Sequence, residues 1–141
     1  MISTRDDYYN FGKGIAQNFE NPLRGYMDFG GLRGLAALSG PYLAIELPNV
    51  SSGRNVDNLI IAKSVLASGC TAIALAQKAI EKYRPKNIII ASIFYSEVGI
   101  REVLRDIYPT PSVIVVGEPD ELNADGFLSP GVGNLDERMS L

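Results

Sequence analysis

Between residues 56 and 116 the chain alternates strand-like and helix-like segments in a regular rhythm, and that rhythm restricts the fold more than any other feature. Val56–Ala62 (VDNLIIA) reads as a buried strand, Thr71–Tyr83 (TAIALAQKAIEKY) as a helix, and Asn87–Phe94 (NIIIASIF) as an apolar strand. Ser96–Tyr108 (SEVGIREVLRDIY) follows as an amphipathic helix and Ser112–Val116 (SVIVV) as a further strand. Within the first helix Ile73, Ala76, Ile80 and Tyr83 fall at helical spacing with charges opposite, and Pro85 ends it. Units of this length predict an α/β fold, a parallel sheet with right-handed crossovers and helices on both faces. Ligands in such sheets bind outside the carboxyl ends of the strands.

The flanks carry weaker signals. Tyr42–Leu47 (YLAIEL) alternates like a short strand, and the polar turn Asn49–Asn55 joins it to the main series. From Met1 to Gly40 the pattern is irregular, with short helices expected near Gly14–Phe19 and Leu32–Ser39 among interrupting glycines. Residues 1–40 are therefore an irregular segment that wraps the domain or serves an oligomer contact, and residues 41–141 form the α/β domain. The tail Gly117–Leu141 is rich in Gly, Pro and acids and has no periodicity. The whole 141 residues suit one domain.

Composition removes several classes of chemistry. The chain has no histidine and one cysteine, Cys70, which excludes an intramolecular disulfide, the usual zinc ligand sets and every His-based triad. No metal ligand set and no catalytic residue can be assigned. With 13 Lys+Arg against 16 Asp+Glu and no basic stripe, no nucleic-acid footprint is expected. The opening MISTRDDYYN lacks the pattern of a signal peptide, and no apolar stretch approaches a membrane span. The expectation is a soluble, cytoplasmic protein with no membrane partner.

Two loops have the composition of binding loops. Lys63–Cys70 (KSVLASGC) leads from a strand into a helix, and the small residues Ala67, Ser68, Gly69 and Cys70 let backbone N–H groups converge on an anion such as a 5′-phosphate. The hydroxyls of Ser68 and Thr71 add to that attraction, while the Gly-Lys-Ser/Thr ending of a Walker loop is absent. The same residues suit an ordinary strand-to-helix turn capped by Thr71. Gly126–Arg138 (GFLSPGVGNLDER) exposes backbone donors and acceptors able to read a flat heterocycle, or is a glycine-rich chain end.

Taken in order, these loops and the stretches around them resemble the uracil phosphoribosyltransferases from about Leu47 to Arg138. The family's phosphoribosyl-pyrophosphate loop, of the form DPMLATGGSA, is similar to KSVLASGCTA from Lys63 to Ala72. Its uracil loop, GYIVPGLGDAGDR, is similar to GFLSPGVGNLDER from Gly126 to Arg138. Between them the PEG-type turn resembles Ser96, Glu97, Val98 and Gly99, and the D-x-x-LN segment matches Asp120–Asn123. Upstream, the LP-x-x-x-x-GR-x-V pattern reappears as Leu47, Pro48, Gly53, Arg54 and Val56.

The resemblance implies a phosphoribosyltransferase-like core with a reduced N-terminal part. It assigns phosphate binding to Ala67, Ser68, Gly69, Cys70 and Thr71, with Lys63 as an added cation. Base binding falls to Phe127, Leu128, Gly133 and Asn134. Glu97, Arg138 and Arg33 become ribose or anion contacts, Arg33 because Phe29–Leu35 stands in for the family's pyrophosphate turn. Glu97 also suits a first-turn helix acid, and Arg138 an ion pair with Asp136 or Glu137.

The departures bear on catalysis. Lys63 occupies the position of the acid that engages the ribose hydroxyls, and an ammonium accepts no hydrogen bonds and repels magnesium. Asn134 replaces an aspartate, removing a negative charge beside an oxocarbenium-like transition state. Much of the loop that would cover the reacting centre is missing, which admits water. The leading expectation is a protein that binds a pyrimidine nucleotide, or a similar small phosphorylated nucleoside, without catalysis, as sensor, regulator or sequestering protein, with no cofactor. One alternative is an active uracil phosphoribosyltransferase using magnesium, and another is a structural module on the same fold. A homo-oligomer is expected in each case.

Overall fold

The structure, a computed structural model, describes residues 1–131. Gly133, Asn134 and Arg138, with Asp136 and Glu137, lie outside the described residues, so those expectations for the second loop are not placed by the fold.

The chain begins with β1 (Ile2–Thr4), α1 (Arg5–Tyr8), α2 (Phe11–Ala16), β2 (Gly25–Asp28), α3 (Leu35–Ser39) and β3 (Ala44–Glu46). There follow β4 (Asn58–Ala62), β5 (Val65–Leu66), α4 (Cys70–Tyr83), β6 (Asn87–Ala91), β7 (Phe94–Tyr95) and α5 (Glu97–Asp106). The described chain ends with β8 (Ser112–Ile114), β9 (Glu121–Leu122) and β10 (Leu128–Ser129).

Six strands form the main sheet in the order β3-β2-β1-β4-β6-β8. All neighbours are parallel except β2 and β3. The parallel series thus reverses direction between β1 and β4, which is a topological switch point where such sheets bind ligands.

The N-terminal segment differs from its sequence reading. Short helices are present there, at Phe11–Ala16 and Leu35–Ser39, but two sheet strands accompany them, and β1 lies in the middle of the sheet. Ile2, Ser3 and Thr4 are all buried, and β1 pairs with β2 on one side and β4 on the other. Three residues are too few to show a period of two.

In the α/β repeat the side-chain alternation is direct. Leu59 and Ile61 of β4, with Ile88 and Ile90 of β6, join the main core, together with Ile73, Leu75 and Ala76 of α4 and Val103 of α5. Small residues at Ala72, Ala76 and Ala79 let α4 lie close to the strands. The helix ends at Arg84, in a left-handed conformation just before Pro85. Helix α2 contacts β4, and right-handed crossovers to either side of the switch point would place it on the face opposite α4.

Candidate functional site

A cleft of about 570 Å³ opens at the switch point, within the roughly 300–1,000 Å³ of small-molecule sites. It is walled by residues at and after the ends of three strands: Thr4–Asp6 at β1, Asp28, Phe29 and Gly31–Gly34 at β2, and Lys63–Gly69, Thr71 and Ala72 after β4. Ala124, Asp125 and Gly126 of the C-terminal hairpin complete it.

The floor is the loop between β4 and α4. Its carbonyls are secured from behind: Ser64 O accepts from Ile93 N and Phe94 N, and Leu66 O accepts from Ser96 N at 3.1 Å. Ala67 O accepts from Ser96 Oγ at 2.6 Å. In a trans peptide the N–H points opposite to the carbonyl, so the N–H groups of Ala67 and Ser68 turn away from α5, and both residues line the cleft. Gly69, the N-cap of α4, has φ +85° and makes no side-chain cap bond. The positive end of a 14-residue helix thus faces the cleft.

The same anchoring explains the Ser96–Gly99 motif. Ser96 Oγ also accepts from Gly99 N at 2.9 Å, capping α5. A Cβ at Gly99 would stand 2.6 Å from Ala67 O and 2.8 Å from Leu66 O, so only glycine lets α5 approach the floor. Ser96 and Gly99 thereby shape the loop from behind. Glu97 is an exposed first-turn acid and does not line the cleft.

Behind the floor sits Asp7, on the four-residue helix α1, with its side chain 7% exposed. Its Oδ1 accepts from Ser64 Oγ at 2.5 Å. Its Oδ2 accepts from Ser64 N at 3.1 Å and from Lys63 Nζ at 3.3 Å, and Thr4 Oγ1 lies 3.4 Å away. Lys63, which lines the cleft, is thereby held in place by a carboxylate 56 residues earlier in the chain.

Two further cations line the cleft. Arg5 pairs with Asp28 at 3.0 Å. The Asp28 carboxyl is held below its ordinary value, first by the Gly30 N–H and then by Arg5. Arg33 reaches across to the hairpin, stacking its guanidinium 3.8 Å from the centre of the Phe127 ring and donating to Gly126 O at 3.2 Å.

The hairpin itself, β9 and β10, is organised by Asn123, whose Oδ1 accepts from Asp125 N and Phe127 N. Asp120 ties its base to the floor's support through Asp120 N donating to Tyr95 O at 2.8 Å.

Of the residues expected from sequence to hold phosphate, Lys63, Ala67, Ser68, Gly69 and Thr71 line one cleft, and Arg33 lines its opposite wall. Cys70, half-buried, is outside the lining. Phe127 faces Arg33, and the Leu128 side chain is 3% exposed in the interior. Sequence reasoning missed Asp7, Arg5 and Asp28, because the only local signal was an acidic pair after a three-residue strand. The Leu47–Val56 motif lies away from the cleft, at the far end of α4, where Lys82 Nζ donates to Leu47 O and Tyr83 OH to Pro48 O.

A profile of the family described as uracil phosphoribosyltransferase matches residues 38–139. The chain belongs to the uracil phosphoribosyltransferase family. Among curated relatives of that name it is 29% identical over 94 residues to one from Natronomonas pharaonis, covering 67% of this chain and 40% of the relative. It is 37% identical over 82 residues to one from Sulfurisphaera tokodaii, covering 58% of this chain and 37% of the relative. The chain thus matches about two fifths of the length of these relatives. The structure described as that of the AQ2163 protein from Aquifex aeolicus superposes with a TM-score of 0.75 at 19% identity, covering 99% of this chain and 63% of that one. That likeness shows the fold, a largely parallel sheet flanked by helices, and the family match makes it of the phosphoribosyltransferase type.

Proposed function

We propose that this family member binds a pyrimidine nucleotide, or a similar small phosphorylated nucleoside, in the switch-point cleft and does not transfer its ribosyl group. The observation that carries this reading is Lys63. It stands first in the phosphate loop, where the resemblance calls for an acid, and its pairing with Asp7 holds an ammonium beside the place a ribose phosphate would occupy. The loop N–H groups and the α4 terminus support phosphate binding. The Asn123–Phe127 turn supports a base at the opposite end. A protein of this kind acts as a sensor, a regulatory subunit or a sequestering protein for its nucleotide.

Mass spectrometry of small molecules released from the denatured protein tests the reading, together with thermal shifts in uracil, uridine monophosphate, cyclic nucleotides and phosphoribosyl pyrophosphate. A retained nucleotide or a shift with uridine monophosphate is the expected result. Indifference to every nucleotide would refute it and leave the structural module.

Family membership favours a second reading, an active enzyme that forms uridine monophosphate from uracil and phosphoribosyl pyrophosphate. Pyrophosphate release with magnesium and both substrates would establish that activity. Either reading fits a cytoplasmic homo-oligomer, and the exposed Leu35, Leu43, Tyr108, Ile114 and Val116 support an oligomer by offering apolar surface to a second copy. Among the described residues no helix is long and apolar enough to cross a membrane.

A further inference from the structure

A side chain bars the cleft. Arg33, on the loop between β2 and α3, and Gly126, in the hairpin, both belong to its lining. The Arg33 guanidinium joins them, stacked 3.8 Å from the centre of the Phe127 ring and donating to Gly126 O at 3.2 Å. Arg33 is exposed and Phe127 half-buried, so water competes for both contacts. The segment that carries Arg33 is bounded by Gly31 at φ +80° and Gly34 at φ +56°, each with open space where a Cβ would stand. The floor, in contrast, is bonded from behind by Asp7 and Ser96. The bar is the part that can move.

We propose that the contact of Arg33 with Phe127 and Gly126 is an entry gate, which closes over the cleft and swings aside to let a small ligand pass. This inference rests on the nucleotide-binding reading above and adds how the ligand gains access. The cleft of about 570 Å³ exists with the bar in place, and that is room enough for a small molecule, so the gate closes behind a ligand as well as ahead of it. An exposed cation–π contact and one hydrogen bond bias the gate toward closure by about tenfold. Exposed side chains change rotamer far faster than ligands bind, so the observed rates in both directions scale with the open fraction. Were Arg33 only an anion contact, its removal would slow the association of a nucleotide, since a cation facing an anion speeds encounter. Removal of a gate has the opposite sign.

Stopped-flow mixing of the whole chain with uridine monophosphate tests the inference. Association and dissociation are both expected to accelerate roughly fivefold in Arg33→Ala, the scale of the lost bias. Phe127→Leu breaks the same contact from the other side and is expected to accelerate both rates in the same direction. A second readout needs no nucleotide. Trinitrobenzenesulfonate, an aromatic anion, modifies lysine amines, and mass spectrometry follows its reaction with Lys63 in the cleft lining. Lys82, bonded to Leu47 O and Asn49 at the far end of α4, is the internal reference, because its reaction quickens only if the chain opens generally. Lys63 is expected to react severalfold faster in both variants while Lys82 keeps its rate. Association that slows or stays the same in Arg33→Ala while dissociation accelerates would make Arg33 an ordinary ligand contact, overturning the gate and leaving the nucleotide reading intact. No binding of uridine monophosphate by any of the proteins, with Lys63 still faster in the variants, would overturn the nucleotide reading and leave the gate. An unchanged Lys63 rate in both variants would overturn the gate.

Discussion

The floor of the cleft, residues 63–72, is tied into the molecule by buried bonds to Asp7, Ser96 and β7, whereas its roof, residues 123–128, meets the opposite wall through the exposed Arg33. A phosphate is compact, highly charged and the same in every nucleotide, so a preset floor suits it. A base varies in shape and is read at its edges, and a roof whose contact across the cleft is the exposed Arg33 can adjust to it. On the proposed reading, the two regions would divide rigidity and adaptability between the two ends of one ligand.

That contrast is open to attack from its strongest point downward. Asp7→Ala removes the carboxylate that pairs Lys63 and both donors of Ser64, and it is expected to cost about 3 kcal/mol of stability, the scale of a broken buried pair. Urea unfolding measures this, and a loss no larger than that of an ordinary surface change would mean the floor is held elsewhere.

Gly99→Ala tests the other support. Its Cβ would collide with the carbonyls of Ala67 and Leu66, and a loss of about 2 kcal/mol is expected from the forced backbone shift. The damage should reach the site as well, seen as weaker binding of uridine monophosphate by the folded fraction.

At the roof the expected cost is smaller. Arg33→Ala removes an exposed cation–π contact and should cost about 0.5–1 kcal/mol. Amide exchange at Asn123–Phe127 should quicken while exchange in α4 stays as it was. Equal quickening in both regions would erase the distinction between floor and roof.

The smallest expected effect concerns acid. The Asp28 carboxyl lies below its ordinary value in the fold, so the stability it adds is complete above that ordinary value and disappears as pH falls through the lowered one. Asp28→Asn keeps the contact with Gly30 N and deletes the charge. The melting temperatures of the two proteins should differ near neutrality and converge in acid, and a gap that widened in acid would contradict this assignment.

Much of the α/β repeat was legible. The helix expected at Thr71–Tyr83 spans Cys70–Tyr83, and the strand expected at Asn87–Phe94 is β6 followed by the short β7. Hydrophobic period and Pro85 carry that information locally. The helix expected from Ser96 begins at Glu97 with Ser96 as its cap. Strand β1 was illegible because three residues show no period, and its buried Ser3 and Thr4 look like surface residues in a sequence.

For the site, the small residues of 67–71 announced a loop with an accessible backbone, four of whose residues line the cleft, since backbone access is a matter of local side-chain size. Lys63 announced its departure from the family by charge alone. Its partner was hidden. Asp7 and Lys63 meet only because β1 and β4 pair in parallel at the switch point, and no local pattern encodes a pairing across 56 residues. Arg33 and Phe127, 94 positions apart by their numbers, meet for the same kind of reason. By itself, the sequence determined the strand–helix repeat, the family and the composition of the loop between β4 and α4, all of which depend on near neighbours. Only the tertiary structure decided which charges face one another across the cleft, because that depends on the order in which the strands assemble.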